Sequence, residues 1–103
     1  MDRTVEDNPE RSRFELRVDG DLVGWSDYRA GGTSVIVAHT EIDERREGEG
    51  LGSELVRGVL DRIRASGKTV IPTCAFTAAY IQRHPEYVDL VDPSLRDQFN
   101  SSN

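Results

Sequence analysis

Apolar and polar residues alternate from Phe14 to Val18, with Glu15 and Arg17 set between Phe14, Leu16 and Val18. A period of two is that of a half-buried strand. Asp19-Gly20 follows, a dipeptide suited to the positive φ values of a tight hairpin turn. The chain returns through Leu22, Val23, Trp25 and Tyr28, and Gly31-Gly32 marks a second turn. From Thr33 to Ile42 β-branched residues dominate. Strict alternation puts Val35, Val37, His39 and Glu41 on one face and Ile36, Ala38, Thr40 and Ile42 on the other. These segments predict a three-stranded antiparallel meander, with Trp25 anchoring the core between sheet and helix.

The period then changes. Leu51, Leu55, Val56, Val59, Leu60 and Ile63 recur at helical spacing. A helix is expected from about Gly50 to the Ser66-Gly67 stop, where Gly67 can adopt the left-handed cap conformation. Arg57, Asp61, Arg62 and Arg64 fall off the apolar stripe and should face water. Thr69 to Cys74 reads as another strand, in which Pro72 removes one donor and leaves one side unpaired or splayed. A short second helix, roughly Ala75 to Arg83, stops before Pro85, with His84 capping its end. Phe76 and Tyr80 lie one turn apart on it. Tyr87 to Val91 is expected to add a short edge strand.

The order β-β-β-α-β-α, with a possible last β, places the chain in the α+β class: a mainly antiparallel sheet with one β-α-β parallel step. Residues 1–12 are polar and aperiodic and read as a disordered leader. Residues 13–92 form a single domain, and 93–103 a flexible tail. At 103 residues the chain has room for one small core.

The net charge of −6 argues against nucleic-acid binding, which needs a basic face. An acidic surface promotes solubility and suits a cationic partner. No apolar run approaches the ~20 residues that cross a bilayer. No signal peptide opens the sequence, so no membrane association and a cytoplasmic location are expected. Cys74, the one cysteine, excludes an internal disulfide; with only two histidines beside it, no metal site is expected.

The stretch that organises the chain is Arg45-Arg46-Glu47-Gly48-Glu49-Gly50-Leu51-Gly52, between the last meander strand and the long helix. Alternate glycines let the backbone turn sharply or approach a ligand closely. A helix N-terminus supplies unpaired N–H groups and partial positive charge, a combination that binds phosphate. A P-loop would end Gly-Lys-Ser/Thr, and Gly52-Ser53 has no lysine between. A Rossmann fingerprint has its last two glycines three apart, whereas these are spaced by two.

The stretch resembles the pyrophosphate loop of the GNAT N-acetyltransferase superfamily, Arg/Gln-x-x-Gly-x-Gly/Ala. It matches at Gly50 and Gly52 and departs at Glu47, with Arg46 beside it to supply the charge. His39-Thr40-Glu41, Pro72-Thr73-Cys74 and His84-Pro85-Glu86-Tyr87 are similar to the short YjdJ-type branch, over roughly residues 14–91. The resemblance implies a reduced GNAT fold that binds acetyl-coenzyme A where two parallel strands splay. Pantetheine would run beside Thr40 and Ile42, and the diphosphate would rest on Arg46, Glu47, Gly48, Glu49, Gly50, Leu51, Gly52 and Ser53. Phe76 and Tyr80 would also contact the cofactor, with Tyr80 as acid for the leaving thiolate.

Cys74 ends a strand and precedes a helix, where the dipole favours a thiolate; it is the candidate nucleophile toward the thioester. His39, with Glu41 two residues on, is the candidate general base. Arg83 could reach coenzyme A phosphates from the second helix, but a solvated arginine is the expectation. The activity implied is acetyl transfer to a primary amine (a protein lysine, a polyamine or a small amine), directly or through an acetyl-cysteine. The chain lacks the helical segment with which many relatives wall the acceptor site, so that site should be open. A monomer or weak dimer is expected. Two rival readings are a coenzyme A-binding module or sensor with little transferase activity, and an interaction domain whose glycines serve only the turn.

Overall fold

Strands Arg13–Val18 (β2), Asp21–Gly31 (β3) and Ser34–Ile42 (β4) form the expected meander in the computed structural model, which describes residues 2–99. Asp19 and Gly20 both take positive φ at its first turn, 51° and 89°, and Gly32 does so at the second. The amphipathic run becomes helix α1, Leu51–Ala65, followed by strand β5, Thr69–Pro72, and helix α2, Ala75–Arg83. All six apolar residues of the α1 stripe are buried. They meet Phe14, Leu16, Val18, Val35, Val37 and Val70 from the sheet and Tyr80 and Ile81 from α2 in one core. Gly67 takes φ 79° after α1, the left-handed stop its sequence called for.

Residues 1–12 depart from expectation. Arg3–Asn8 form an edge strand, β1, antiparallel to β2, so the sheet order is β1-β2-β3-β4-β5 with only the β4–β5 pair parallel. The segment has a single apolar anchor, Val5, and its other partners are distant in sequence. Arg3 reaches Glu54, Asp7 accepts from Tyr28, and the Val5 carbonyl accepts from Arg62 Nε. Periodicity cannot reveal a strand held by one apolar contact and long-range polar ones.

Gly58 makes that anchor possible. A Cβ there would lie 2.4 Å from Val5 Cγ2 and 2.8 Å from its Cβ. Gly58→Ala should therefore destabilise the protein by about 1–2 kcal/mol, overpacking outweighing the ~1 kcal/mol helix-propensity gain of alanine. Denaturant unfolding of Gly58→Ala and of Val5→Ala/Gly58→Ala checks this. The double variant should recover part of the loss, and an additive further loss would contradict the contact.

Two other segments differ from expectation. Residues Pro85–Leu90 form a 3₁₀ helix rather than an edge strand, and only Val91 bridges Val70. Pro85 and the burial of Tyr87 and Leu90 favour the helical turn, which also lets Tyr87 donate to Asp61 at 2.7 Å. Pro93–Gln98 form another 3₁₀ turn, opened by Asp92, whose side chain accepts from Ser94 N–H. The rest of the expected tail, from Asn100, lies outside the described residues.

Trp25 is not in the core. It stands on the sheet face opposite the helices, opposite Glu15 and Glu41, with the Arg13 guanidinium 4.9 Å from its ring centre. Glu15 is buried there under polar neighbours. Burial alone would raise its pKa, but hydrogen bonds from Arg13, Asn8 and Arg17 outweigh that and hold the carboxyl below its usual range.

Candidate active site

β4 and β5 run in register from Ser34–Thr69 to Val37–Pro72 and then part. The Val37 carbonyl accepts from the N–H groups of both Thr73 and Cys74, each at 3.1 Å, which ends β5 beside the middle of β4. β4 continues to Ile42, so its last five residues have no strand neighbour on that side. At the parting point β4 bulges. Asp27 pairs with His39 and Tyr28 with Val37, leaving Ala38 unopposed.

An extra residue exchanges the two faces of a strand. Thr40 and Ile42, not His39 and Glu41, therefore continue the helix-facing side begun by Val35 and Val37. Strict alternation mis-assigned these four residues because a bulge is invisible in the hydropathy pattern.

The glycine-rich segment leads from β4 into α1. A 3₁₀ turn, Glu44–Arg46, is followed by Gly48 at φ 90° and Gly50 at φ 76°, and Gly50 is the α1 N-cap. No side chain caps this helix, and its first internal bond runs from Glu54 N–H to the Gly50 carbonyl at 3.2 Å. The amides of Leu51, Gly52 and Ser53 thus have no partner within the helix. They border a cavity of about 380 Å³ whose other walls include Thr40, Ile42, Arg46 and Phe76.

Phe76 is 41% exposed, the one large apolar side chain so exposed among the described residues. Its ring tip occupies the space beside Gly52, where a Cβ would come within 2.9 Å of Cζ. A concave, partly apolar site edged by free amides suits a ligand that is anionic at one point and apolar elsewhere. The loop arginines are already paired: Arg45 Nη2 lies 2.9 Å from Asp43 Oδ2, and Arg46 Nε 3.2 Å from Glu49 Oε2.

Cys74 is the α2 N-cap residue and sits beside the cavity rather than in its lining. Its sulfur is 3.7 Å from Thr40 Oγ1, which in turn is 3.2 Å from Ser26 Oγ, a residue 1% exposed. Partial burial would push the thiol up. The Thr77 N–H, the Thr40 hydroxyl and the Phe76 N–H oppose it and hold the thiol below its ordinary pKa. No side-chain cap bond is formed at this helix end, so these amides act on the sulfur from longer range than a closed hydrogen bond.

Thr77 Oγ1 is fully buried and, among the described residues, has no hydrogen-bond partner. A thiolate nearby would supply the missing acceptor. Alkylation of Cys74 should accordingly show a pH midpoint below that of an ordinary cysteine. Thr40→Val removes a donor to the thiolate and should move that midpoint upward. An unmoved midpoint would remove Thr40 from the account.

His39 and Glu41 are not brought to Cys74. They lie on the opposite face of the sheet, exposed, with His39 Nε2 3.0 Å from Glu41 Oε1. Tyr80 is not in the cavity either. It is 4% exposed, stacked on His84 at a ring separation of 4.0 Å, and lines a separate groove between α1 and α2. His84 caps α2 as expected, its Nδ1 2.9 Å from the Tyr80 carbonyl.

Ser26 and Thr77 were missed by the sequence reading. Ser26 has no local signal, since its contact with Thr40 depends on strand register, but the Cys74–Thr77 spacing is that of an N-cap and its N3 residue. Among the described residues no His, Cys, Asp or Glu cluster could hold a metal, and no helix is long and apolar enough to cross a membrane.

A family model described as GCN5-related N-acetyl-transferase matches residues 13–90. Among solved structures, a GCN5-like protein from Staphylococcus aureus superposes with a TM-score of 0.65 at 18% identity, covering 86% of this chain and 87% of that one. Ard1 from Thermoplasma volcanium matches at 0.53 and 26% identity, over 64% of this chain and 45% of its own. N-acetylglutamate synthase from Neisseria gonorrhoeae, complexed with coenzyme A and N-acetyl-glutamate, matches at 0.54 and 17% identity, over 89% of this chain and 23% of its own. No curated protein matches the chain.

Proposed function

Because the chain belongs to the GCN5-related N-acetyltransferases, we propose that it transfers acetyl from acetyl-coenzyme A to a primary amine by way of Cys74. The observation that carries this reading is the parting of β4 from β5 at Val37 and Pro72, beside a cavity edged by the unpartnered amides of α1. The diphosphate would sit on the backbone of residues 46–53, and pantetheine would follow the free edge of β4 past Thr40 and Ile42. Phe76 would cover its apolar length.

In the first step the Cys74 thiolate attacks the acetyl carbonyl, and coenzyme A leaves as a thiolate that takes a proton from solvent. The amine then attacks the acetyl-cysteine carbonyl, its proton passes to water, and the Cys74 thiolate is restored. Thr40, Thr77 and the α2 N-terminus hold the charge on sulfur at both ends of the cycle. An acceptor that can reach the Cys74 sulfur at the head of α2, where β4 and β5 have parted, such as a protein lysine or a polyamine, fits this geometry.

One observation favours a rival. Asp43 and Glu49 neutralise both loop arginines, and Glu44 and Glu47 add further negative charge beside the diphosphate position. That charge suits a weak coenzyme A-binding module with little transferase activity. Incubation with labelled acetyl-coenzyme A and a panel of amines and peptides separates the two by mass spectrometry. An acetyl-Cys74 adduct and acetylated amines above background support the enzyme, whereas binding with neither product supports the module.

A further inference from the structure

Beyond the cavity, α1 and α2 enclose a second groove of about 450 Å³. Gly50 and Ser53 border both spaces, so a ligand crossing the head of α1 passes from one into the other. The far walls are Arg57 on α1, one turn or about 6 Å beyond Ser53, and Tyr80, Arg83 and His84 on α2. Both guanidinium groups act electrostatically on the Tyr80 hydroxyl, as do the carboxylates of Glu86 and Asp61, which stand outside the groove's lining.

The charges in this groove are unevenly committed. Its carboxylates, Glu49 and Glu54, are already paired with Arg46 and Arg3. Arg57 and Arg83 form no ion pair and donate no hydrogen bond among the described residues. Two uncommitted arginines bordering one concave space repel a cationic acceptor and suit a phosphate, whose oxygens match the guanidinium fork. The loop arginines, by contrast, are spent on Asp43 and Glu49.

We infer that Arg57 and Arg83 form a phosphate subsite in the groove between α1 and α2, and that it takes the 3′-phosphate on the adenosine arm of coenzyme A. This rests on the acetyl-coenzyme A reading, since the adenosine arm enters the groove only if the diphosphate crosses the α1 N-terminus. The subsite makes the chain selective for coenzyme A over its 3′-dephospho form. It also supplies the positive charge that the acidic loop lacks.

Calorimetric titration of the full chain with coenzyme A and with 3′-dephospho-coenzyme A tests the inference, on the wild type and on Arg57→Gln/Arg83→Gln. The wild type should bind coenzyme A at least about tenfold tighter than the dephospho form. The double variant should bind the two equally, with its dephospho-coenzyme A affinity unchanged, which also reports that it is folded. Equal binding of both ligands by the wild type overturns the subsite while leaving the parent reading intact. So does a preference that survives in the double variant, or a double variant that loses both ligands together. Binding of neither ligand by the wild type overturns the parent reading and the subsite with it.

Discussion

Cys74→Ala should abolish the acetyl-enzyme adduct and slow amine acetylation by at least about 100-fold, while leaving acetyl-coenzyme A affinity within about threefold. The split is diagnostic. Cys74 borders the cavity without lining it, so its removal should spare binding. Cys74→Ser should fare little better than alanine. A hydroxyl in the same place has no adjacent general base, because His39 and Glu41 face the other side of the sheet. Rapid-quench mass spectrometry of the wild type and both variants reads the adduct and the product together. Unchanged amine acetylation in Cys74→Ala would exclude the covalent route and point to direct attack of the amine on the thioester. His39→Ala would then become the informative variant.

Gly52→Val is expected to weaken acetyl-coenzyme A binding by about 30-fold or more, some 2 kcal/mol. The first carbon of any side chain at residue 52 already meets the Phe76 ring tip at 2.9 Å and lies 3.8 Å from Ile42 Cγ1. A branched side chain must push Phe76 into the cavity or stand there itself, and in either case it fills the space beside the amides meant for the diphosphate. Valine is a slightly better helix former than glycine, by a few tenths of a kcal/mol, so any loss of stability comes from the overpacking. Binding measured by calorimetry, with thermal unfolding alongside, separates the effects. Gly52→Val/Phe76→Ala should regain part of the affinity. Full affinity in the single variant would mean that the ligand does not approach residue 52.

Much of the frame can be read from the pattern of residues alone. The alternation through Phe14, Leu16 and Val18, the Asp19-Gly20 turn and the stripe from Leu51 to Ile63 each stay close to one element, and each formed with bounds close to those expected. The glycines at 48, 50 and 52 are legible for the same reason: a left-handed backbone and a close approach leave a local mark. What was not legible depends on contacts across the sheet. The Ala38 bulge changed the facing of His39, Thr40, Glu41 and Ile42 without altering the apolar pattern. β1 is carried by Val5 and a set of distant polar partners. Trp25 was assigned to the core from its size, but register places it opposite Glu15 and under Arg13. Tyr80 shares a helix side with Phe76, yet it is buried against His84 and lines the second groove, not the cavity.

Acetyl-coenzyme A can act in this fold only with its diphosphate at the head of α1. Amide chemical shifts followed during titration with acetyl-coenzyme A test this most directly, because they report binding and position in one experiment. Saturable shifts should concentrate on residues 46–53, on Thr40 and Ile42, and on Phe76, with Trp25, His39 and Glu41 little changed. Shifts absent at millimolar ligand, or centred on the Trp25 face of the sheet, would contradict it.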